Sequence, residues 1–133
     1  LTFKGEKQNP MNYGYIRVSS EKQTVENQRY EITEYCKHKG LIIDKWIEES
    51  VSGARHPNVR KLGKILNTID KGDTIYVTEL SRLGRCAYMV IAIISHCLIA
   101  KANIVEIRDD KLIKDDSDSV QDTFLKVLFA QRE

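Results

Sequence analysis

The chain has 133 residues and a mass of 15.3 kDa, with 41% hydrophobic and 30% charged residues, which is the size and composition of one globular domain. Its 21 basic and 19 acidic residues leave a net charge of +2, too small to indicate a nucleic-acid or membrane partner by itself. Three widely spaced cysteines without a CxxC pair argue against a disulfide framework or a zinc ribbon. We expect them to be small buried hydrophobes in a reducing cytoplasm.

The N-terminal segment lacks the pattern of a signal peptide, and the longest apolar stretch, 87–100, is too short to span a bilayer. We therefore expect a cytoplasmic protein that does not contact a membrane. Residues 1–11 are polar, without periodicity, and are expected to be a flexible arm or residues foreign to the natural protein.

The pattern of apolar residues predicts strands that alternate with helices. Clusters of β-branched and aromatic residues predict strands over 13–18, 41–47, 73–78 and 103–107. Helical spacing predicts a first helix that ends at a cap on Gly40, a second through Leu62 and Ile69, a third over the apolar run 87–100, and a last one from 119. We expect the third helix to be buried on most sides, and the wide apolar surface of the last to need a partner.

Alternating strands and helices predict an α/β fold with a mostly parallel sheet of about four strands flanked by helices. Ligands bind such sheets beyond the C-terminal ends of the strands. This rule selects the loops that follow the first three predicted strands: Ser19 and Ser20, the polar loop 50–58, and the segment 80–85.

Arginine is concentrated at this predicted edge. Five of the chain's eight arginines lie within or beside the three loops: Arg17, Arg55, Arg60, Arg82 and Arg85. The net charge hides them, because residues 106–118 carry six acids against three bases. Guanidinium groups bind phosphate oxygens in a bidentate manner, so the cluster predicts a phosphodiester or another phosphorylated substrate. Taken singly, each arginine could be an ordinary surface residue, and Arg82 and Arg85 would share a face if their segment is helical.

Two interpretations of the nearby polar residues stay open from the residues alone. Ser19 or Ser20 could be a nucleophile whose developing charge the arginines offset, or the N-cap of the first helix. The acidic group Asp109, Asp110, Asp115, Asp116 and Asp118 could hold Mg²⁺ for a metal-dependent nuclease, or be a solvated loop. No histidine suits a Ser-His-Asp triad, and neither a GxxxxGK[ST] loop nor a GxGxxG fingerprint is present, which argues against nucleotide hydrolysis and dinucleotide binding.

Three segments, in order, carry a family resemblance. Residues 15–23 (YIRVSSEKQ) fit the pattern Y-x-R-V-S-[ST]-x-x-Q, Ser52-Gly53 and the segment 60–66 follow, and residues 80–85 (LSRLGR) fit L-[DS]-R-L-[GA]-R. In these segments the chain resembles the serine recombinases, the family of resolvases and DNA invertases, from about residue 12 to its end. The resemblance implies a resolvase-like fold with Rossmann/flavodoxin-like layering and a site-specific DNA recombinase activity.

The resemblance also implies roles for single residues. Ser19 matches the nucleophile that attacks a DNA phosphodiester, leaving a 5′-phosphoserine link and a free 3′-hydroxyl. The residues that match arginines around the scissile phosphate are Arg17, Arg60, Arg82 and Arg85. Gln23 and Gln28 match polar residues near the same pocket, and Ser81, also expected to bind substrate, stands where many members carry Asp, so an acid/base role for that Asp does not carry over. Arg55 has no firm counterpart. No cofactor or metal ion is implied, because the arginines stand in for metal ions and the phosphoserine bond conserves the energy needed to rejoin the strands.

The resemblance further divides the chain into a catalytic domain, 12–118, and the start of a long dimerisation helix, 119–133, with the family's helix-turn-helix domain absent from these residues. The partners it implies are DNA and further copies of the chain: a homodimer, and a tetramer in the synaptic complex. A metal-dependent nuclease that uses the acidic loop, and a non-catalytic phosphate-binding or dimerisation module, remain the alternatives.

Overall fold

The computed structural model of the protein describes residues 9–18, 22–50 and 61–130, which form five strands and four helices. The strands are β1 (Asn12–Val18), β2 (Lys45–Ser50), β3 (Thr74–Val77), β4 (Asn103–Glu106) and β5 (Lys111–Ile113). The helices are α1 (Lys22–His38), α2 (Lys61–Thr68), α3 (Ala87–Ile99) and α4 (Ser117–Ala130), and a single 3₁₀ turn, Leu80–Arg82, follows β3.

The strands form one sheet in the order β2-β1-β3-β4-β5. The first four are parallel, and β5 runs antiparallel to β4. The predicted mostly parallel α/β sheet is therefore confirmed. Because parallel strands all end on the same side, the segments that follow β1, β2 and β3 leave the sheet at one edge.

The two faces of the sheet bury different helices, because successive side chains of a strand point to opposite faces. On β1, Tyr13 and Tyr15 belong to the larger core, which packs against α2, α3 and α4, whereas Ile16 and Val18 belong to a smaller core against α1. Arg17, two residues after Tyr15, consequently projects on the side of the larger core, where α3 and α4 lie.

The second strand begins later than its apolar residues predicted. We expected a strand over 41–47, but Leu41 closes the end of α1: its N–H donates to the carbonyl of Cys36 (2.8 Å), and Gly40 adopts a φ of +71°. This is the hydrogen-bonding pattern of a glycine-capped helix end. Ile42 is then exposed, and the strand runs on through Glu48 and Glu49, whose polarity suggested a loop.

The fifth strand lies in a segment that its charge assigned to a loop. Residues 108–118 were expected to be a charged connection, yet β5 pairs with β4 and buries Ile113 opposite Ile104. A turn with Asp110 at a φ of +48° joins the two strands, and Asp tolerates this left-handed conformation better than most residues. A single buried side chain in three residues gives no strand periodicity, so the sequence pattern could not show β5.

The third and fourth helices differ in how much apolar surface they bury. We expected α3 to be covered on most sides, but Tyr88 and Ile99 are 79% and 80% exposed. On α4 the predicted wide apolar surface is exposed within the chain, since Leu125, Leu128 and Phe129 all stand at least half open to solvent. In the part of the chain that the structure describes, no helix has the length and apolar character needed to cross a membrane.

Two of the three cysteines fill the core as predicted. Cys36 and Cys97 are buried, and burial raises the pKa of Cys36 to about 11 and that of Cys97 to about 12. Their thiols therefore stay protonated near neutral pH. Cys86, just before α3, is half-buried.

The close packing of β1 on β2 gives a test of the fold. Gly14 lies opposite Trp46, and a Cβ added to Gly14 would come within 2.5 Å of Trp46 Cζ3. The indole cannot easily yield, because the guanidinium of Arg29 lies over it, 4.5 Å from the ring centroid. We expect Gly14→Ala to lower the free energy of unfolding by about 1–3 kcal/mol, measured by urea denaturation followed by circular dichroism. Adding Trp46→Leu should recover part of that loss, and additive effects of the two substitutions would contradict the predicted clash.

Candidate active site

At the edge where the parallel strands end, a crevice is expected between β1 and β3, because the order of the strands changes direction there. From β1 the chain crosses to β2 on one side of the sheet, and from β3 it crosses to β4 on the other. Open α/β sheets bind their ligands at such a change of direction, beyond the ends of the two strands. Four of the predicted site residues lie here: Arg17, Ser81, Arg82 and Arg85.

Arg17 joins the ends of β1 and β3 at this crevice. Its Nε donates to the carbonyl of Arg82 (2.8 Å), and its Nη2 donates to the carbonyl of Ser81 (3.0 Å). The guanidinium thus holds the backbone of the 3₁₀ turn with two neighbouring donors. Residues that are more than sixty positions apart in the sequence are brought together by one half-buried side chain.

A cleft of about 390 Å³ opens beside this contact. Side chains from β1, the segment after β3, β4 and α4 line it, and those that carry charge are Arg17, Glu79, Arg85, Glu106 and Lys126. Gly84 also lines the cleft, and a Cβ on Gly84 would lie 2.7 Å from Cβ of Met89. The absence of a side chain at Gly84 therefore lets the arginine-bearing segment lie directly on the start of α3.

Arg82 has a buried N–H group, that of its Nε, without a hydrogen-bond partner in the described part of the chain. Buried N–H groups are nearly always paired, so the group indicates a place for an oxygen atom from a ligand or from an undescribed segment. Arg85 is exposed, and the helical turn ends at Arg82, so the expected sharing of one helical face does not hold for this pair.

Glu49 is a residue that the sequence analysis missed. It is 3% exposed, stands beside Arg17 in the sheet register, and accepts hydrogen bonds from the hydroxyl of Tyr15 (2.7 Å) and from the backbone N–H groups of Lys61 and Leu62 (3.1 Å each). Its carboxylate therefore caps the N-terminus of α2, directly after Arg60 in the sequence. The assignment of Glu48 and Glu49 to a loop concealed this role.

Ser81 is held by its neighbours. Its hydroxyl donates to Glu79 Oε1 (2.6 Å), and Glu79 also pairs with Arg108, which reaches Glu31 of α1. The hydrogen bond from Ser81, and then the charges of Arg108 and Arg82, hold the pKa of the Glu79 carboxyl below its ordinary value. Glu79 is therefore ionised near neutral pH and contributes a negative charge to a cleft whose other charged side chains are Arg17, Arg85, Lys126 and Glu106.

The two glutamines differ in what can be said of them. Gln28 is buried, and its Nε2 donates to the carbonyl of Arg17 (3.3 Å), while its Oε1 has no partner among the described residues. It thus supports the backbone at the point where β1 enters the crevice. Gln23 lies in the first turn of α1. Ser19, Ser20, Arg55 and Arg60 lie outside the described residues, as does most of the loop 50–58.

The acidic residues that could have formed a metal site are separated by their partners. Asp109 pairs with Lys126, Asp110 accepts from the hydroxyl of Tyr35 (2.5 Å), and Asp115 pairs with Lys101. Asp116 caps α4 by accepting from the N–H of Ser119 (2.8 Å). Within residues 9–18, 22–50 and 61–130, no group of three His, Cys, Asp or Glu side chains is arranged to hold a metal ion.

Comparison with known proteins finds relatives that are similar to this chain in sequence and others that are similar in fold. Residues 12–133 match the family model described as the N-terminal domain of resolvase. A resolvase of Clostridium perfringens is 32% identical over 115 residues, which cover 86% of this chain and 58% of the relative. The Transposon Tn1546 resolvase of Enterococcus faecium is 33% identical over 96 residues, which cover 72% of this chain and 47% of the relative. The chain thus spans about half the length of the curated relatives it matches.

Solved structures extend the likeness of fold to more distant proteins. The N-terminal catalytic domain of TP901-1 integrase superposes with a TM-score of 0.69 at 19% identity, covering 92% of this chain and 94% of that one. A resolvase family site-specific recombinase from Streptococcus pneumoniae superposes with a TM-score of 0.67 at 16% identity, covering 93% and 89%. The fold is therefore shared over nearly the whole of each chain.

The ionised Glu79 predicts a dependence of stability on pH. Because its pKa is lower in the folded chain than in the unfolded one, its contribution is present above its ordinary pKa and is lost as the pH falls through the folded value. We expect Glu79→Gln to flatten the fall in the free energy of unfolding between about pH 5 and about pH 3, measured by urea denaturation across that range. Glu26→Gln, at an exposed position of α1, is the control and should keep the parent's slope. Equal slopes for the parent and Glu79→Gln would contradict the prediction.

Proposed function

We propose that the chain, which belongs to the resolvase family through its match to that family's N-terminal domain, is the catalytic domain of a serine site-specific recombinase that cleaves and rejoins DNA. The observation that carries the proposal is the contact of Arg17 with the 3₁₀ turn at the crevice between β1 and β3. This contact brings Arg17 next to the turn that carries Arg82. The nucleophile expected from the family pattern, Ser19, follows Arg17 by two residues in the sequence.

In the proposed reaction, the hydroxyl of Ser19 attacks the phosphorus of a DNA phosphodiester and displaces the 3′-oxygen. The new bond is a 5′-phosphoserine link, and the leaving group is a free 3′-hydroxyl. Attack by a 3′-hydroxyl on the phosphoserine then reverses the chemistry on a new strand. One phosphodiester is exchanged for another ester of similar energy, so no nucleotide cofactor is needed.

Arginines supply the electrostatic stabilisation that this attack requires. The pentacovalent phosphate gathers negative charge, and fixed guanidinium groups in a partly enclosed cleft offset it without reorganising. The Nε–H of Arg82, which has no acceptor among the described residues, can donate to a phosphate oxygen, and the exposed Arg85 adds charge to the cleft. Arg60 and the polar residues Gln23, Gln28 and Ser81 complete the proposed set.

The partners follow from the same proposal. DNA is the substrate, and the exposed apolar side chains of α4, Leu125, Leu128 and Phe129, fit the seam of a homodimer, with a tetramer in the synaptic complex. Residues 12–118 form the proposed catalytic domain and 119–133 the start of the dimerisation helix. The cytoplasm, where DNA is accessible, is the proposed compartment.

The central prediction concerns the covalent link. With the protein at its native length and duplex DNA selected for binding from a random pool, denaturation during the reaction should trap a protein–DNA adduct, and peptide mapping by mass spectrometry should locate the DNA on Ser19. Ser19→Ala should abolish the adduct, and Ser20→Ala, the matched control, should retain it. The adduct should also form in EDTA.

Each other outcome identifies a different fault. An adduct that persists in Ser19→Ala would assign the wrong nucleophile. Cleavage that stops in EDTA and leaves no adduct would instead favour a metal-dependent nuclease. DNA binding without cleavage under either condition would favour a non-catalytic module.

A second prediction separates the arginines of the cleft from other arginines. Arg82→Ala removes the guanidinium but keeps the carbonyl that accepts from Arg17, so the turn should remain in place. We expect its single-turnover cleavage rate to fall about a hundredfold or more. Arg29→Ala is the control, because Arg29 pairs with Glu48 and stacks on Trp46 on the other side of the sheet, and its rate should stay close to the parent's. Equal losses in the two variants would show that the phosphate site lies elsewhere.

A further inference from the structure

Glu106 is a charged residue buried at the end of β4. It lies two residues after Ile104 and so on the same face of the sheet as the larger core and Arg17, and it is 3% exposed. Its two carboxylate oxygens have different partners: Oε2 accepts from the backbone N–H of Leu80 (2.8 Å), and Oε1 pairs with Nζ of Lys126. A buried carboxylate is costly unless it is both hydrogen-bonded and paired with a cation, so the two contacts depend on each other.

The contact with Leu80 fixes the turn that Arg17 holds. Leu80 is the first residue of the 3₁₀ turn, and the next two residues supply the carbonyls that accept from Arg17. Three consecutive residues therefore connect Glu106 to Arg17. A displacement of Leu80 would move both acceptors of the Arg17 guanidinium.

The contact with Lys126 ties Glu106 to α4. The fully buried residues of α4 in the described part of the chain are Thr123 and Val127, and Val120 and Phe124 pack partly buried against the larger core, so three apolar side chains attach this helix. Lys126 also pairs with Asp109, and it lines the same cleft as Arg17. If α4 lifts from the sheet, Glu106 loses its cation and part of its cover.

We propose that Glu106 is a positioning residue that couples the seating of α4 to the geometry of the Arg17 site. With Lys126 in place, Glu106 holds the 3₁₀ turn, and the turn holds Arg17. When Lys126 withdraws, the carboxylate without its cation turns towards water in the cleft, and the N–H of Leu80 loses a fixed acceptor. The coupling rests on the proposed function only where it predicts cleavage, since the contacts themselves can be measured without DNA.

The first test follows the Nε–H of Arg17 by NMR in the 133-residue chain. Lys126→Met should speed the exchange of this proton with solvent by about fivefold or more, whereas Lys126→Arg should leave it slow. Lys101→Met is the matched control, because Lys101 pairs with Asp115, just before the start of α4, and lines neither cavity that Glu106 lines. In a Glu106→Gln background, whose amide oxygen can still accept from Leu80, Lys126→Met should have no further effect. Circular dichroism confirms that each variant is folded.

The second test measures cleavage with the protein at its native length and saturating DNA. Lys126→Met should lower the single-turnover rate about tenfold, and Lys126→Arg should restore the rate. In a Glu106→Gln background, Lys126→Met should lower the rate no further. If Lys126 acted on DNA only through its own charge, Lys126→Met would lower the rate equally in the Glu106→Gln background, and a general loss of structure would appear in Lys101→Met as well. Either result would contradict the coupling.

The outcomes separate the two proposals. A parent that forms no Ser19 adduct, but whose Arg17 signal responds to Lys126→Met, would end the proposed function and leave the coupling intact. A parent that forms the adduct, with neither rate nor Arg17 signal changed in Lys126→Met, would overturn the coupling. If Lys101→Met reproduces both effects of Lys126→Met, the seating of α4 matters but Glu106 does not carry it, and the assignment is wrong.

Discussion

The guanidinium of Arg17, bound to two successive carbonyls of the 3₁₀ turn, is the contact on which the rest of the site depends. β1 and β3 are hydrogen-bonded only through their earlier residues, so their C-terminal extensions would diverge without a link. A long charged side chain provides that link at the cost of being partly withdrawn from water. Its charge stays in the cleft while two of its N–H groups serve the fold.

Buried carboxylates support this site in two places by the same means. Glu49 receives the first N–H groups of α2, and Glu106 receives the first N–H of the 3₁₀ turn. In each case an acid at the end of a strand fixes the start of a segment next to an arginine of interest, Arg60 or Arg82. Because free N–H groups at the start of a helical segment carry partial positive charge, an anion there is favourable even when water is excluded. Buried carboxylates thus lie beside the arginines at this edge of the sheet. Their negative charges help to explain how a chain of net charge +2 can present several cations there.

Much of the fold could be predicted, because periodicity records which face of an element is buried. The spacing of Leu62 and Ile69 predicted α2, and the cluster of β-branched and aromatic residues in 13–18 predicted β1. The rule that ligands bind beyond parallel strands then selected the segment 80–85 before any geometry was known. The assignment of Glu49 to a loop was wrong, and the burial of Glu106 within its correctly predicted strand was not foreseen. Both are buried because specific N–H groups or cations face them, and those partners come from elements distant in the sequence. β5 could not be predicted for a related reason: its three residues are too few to show a strand pattern, and the strand forms because it pairs with β4. The roles of Ser19 and Arg60 stay predictions, because both lie outside the described residues.

The packing of Trp46 over Gly14 has a practical consequence. Trp46 is the chain's single tryptophan, and it lies with α1 on the side of the sheet opposite the cleft. Its emission should therefore report on the layer formed by α1, β1 and β2, and should be insensitive to rearrangements of α4 or to a ligand near Arg85. The fluorescence of Trp46 can therefore serve as an internal reference for a second probe placed on α4, because only the second signal should change when α4 moves.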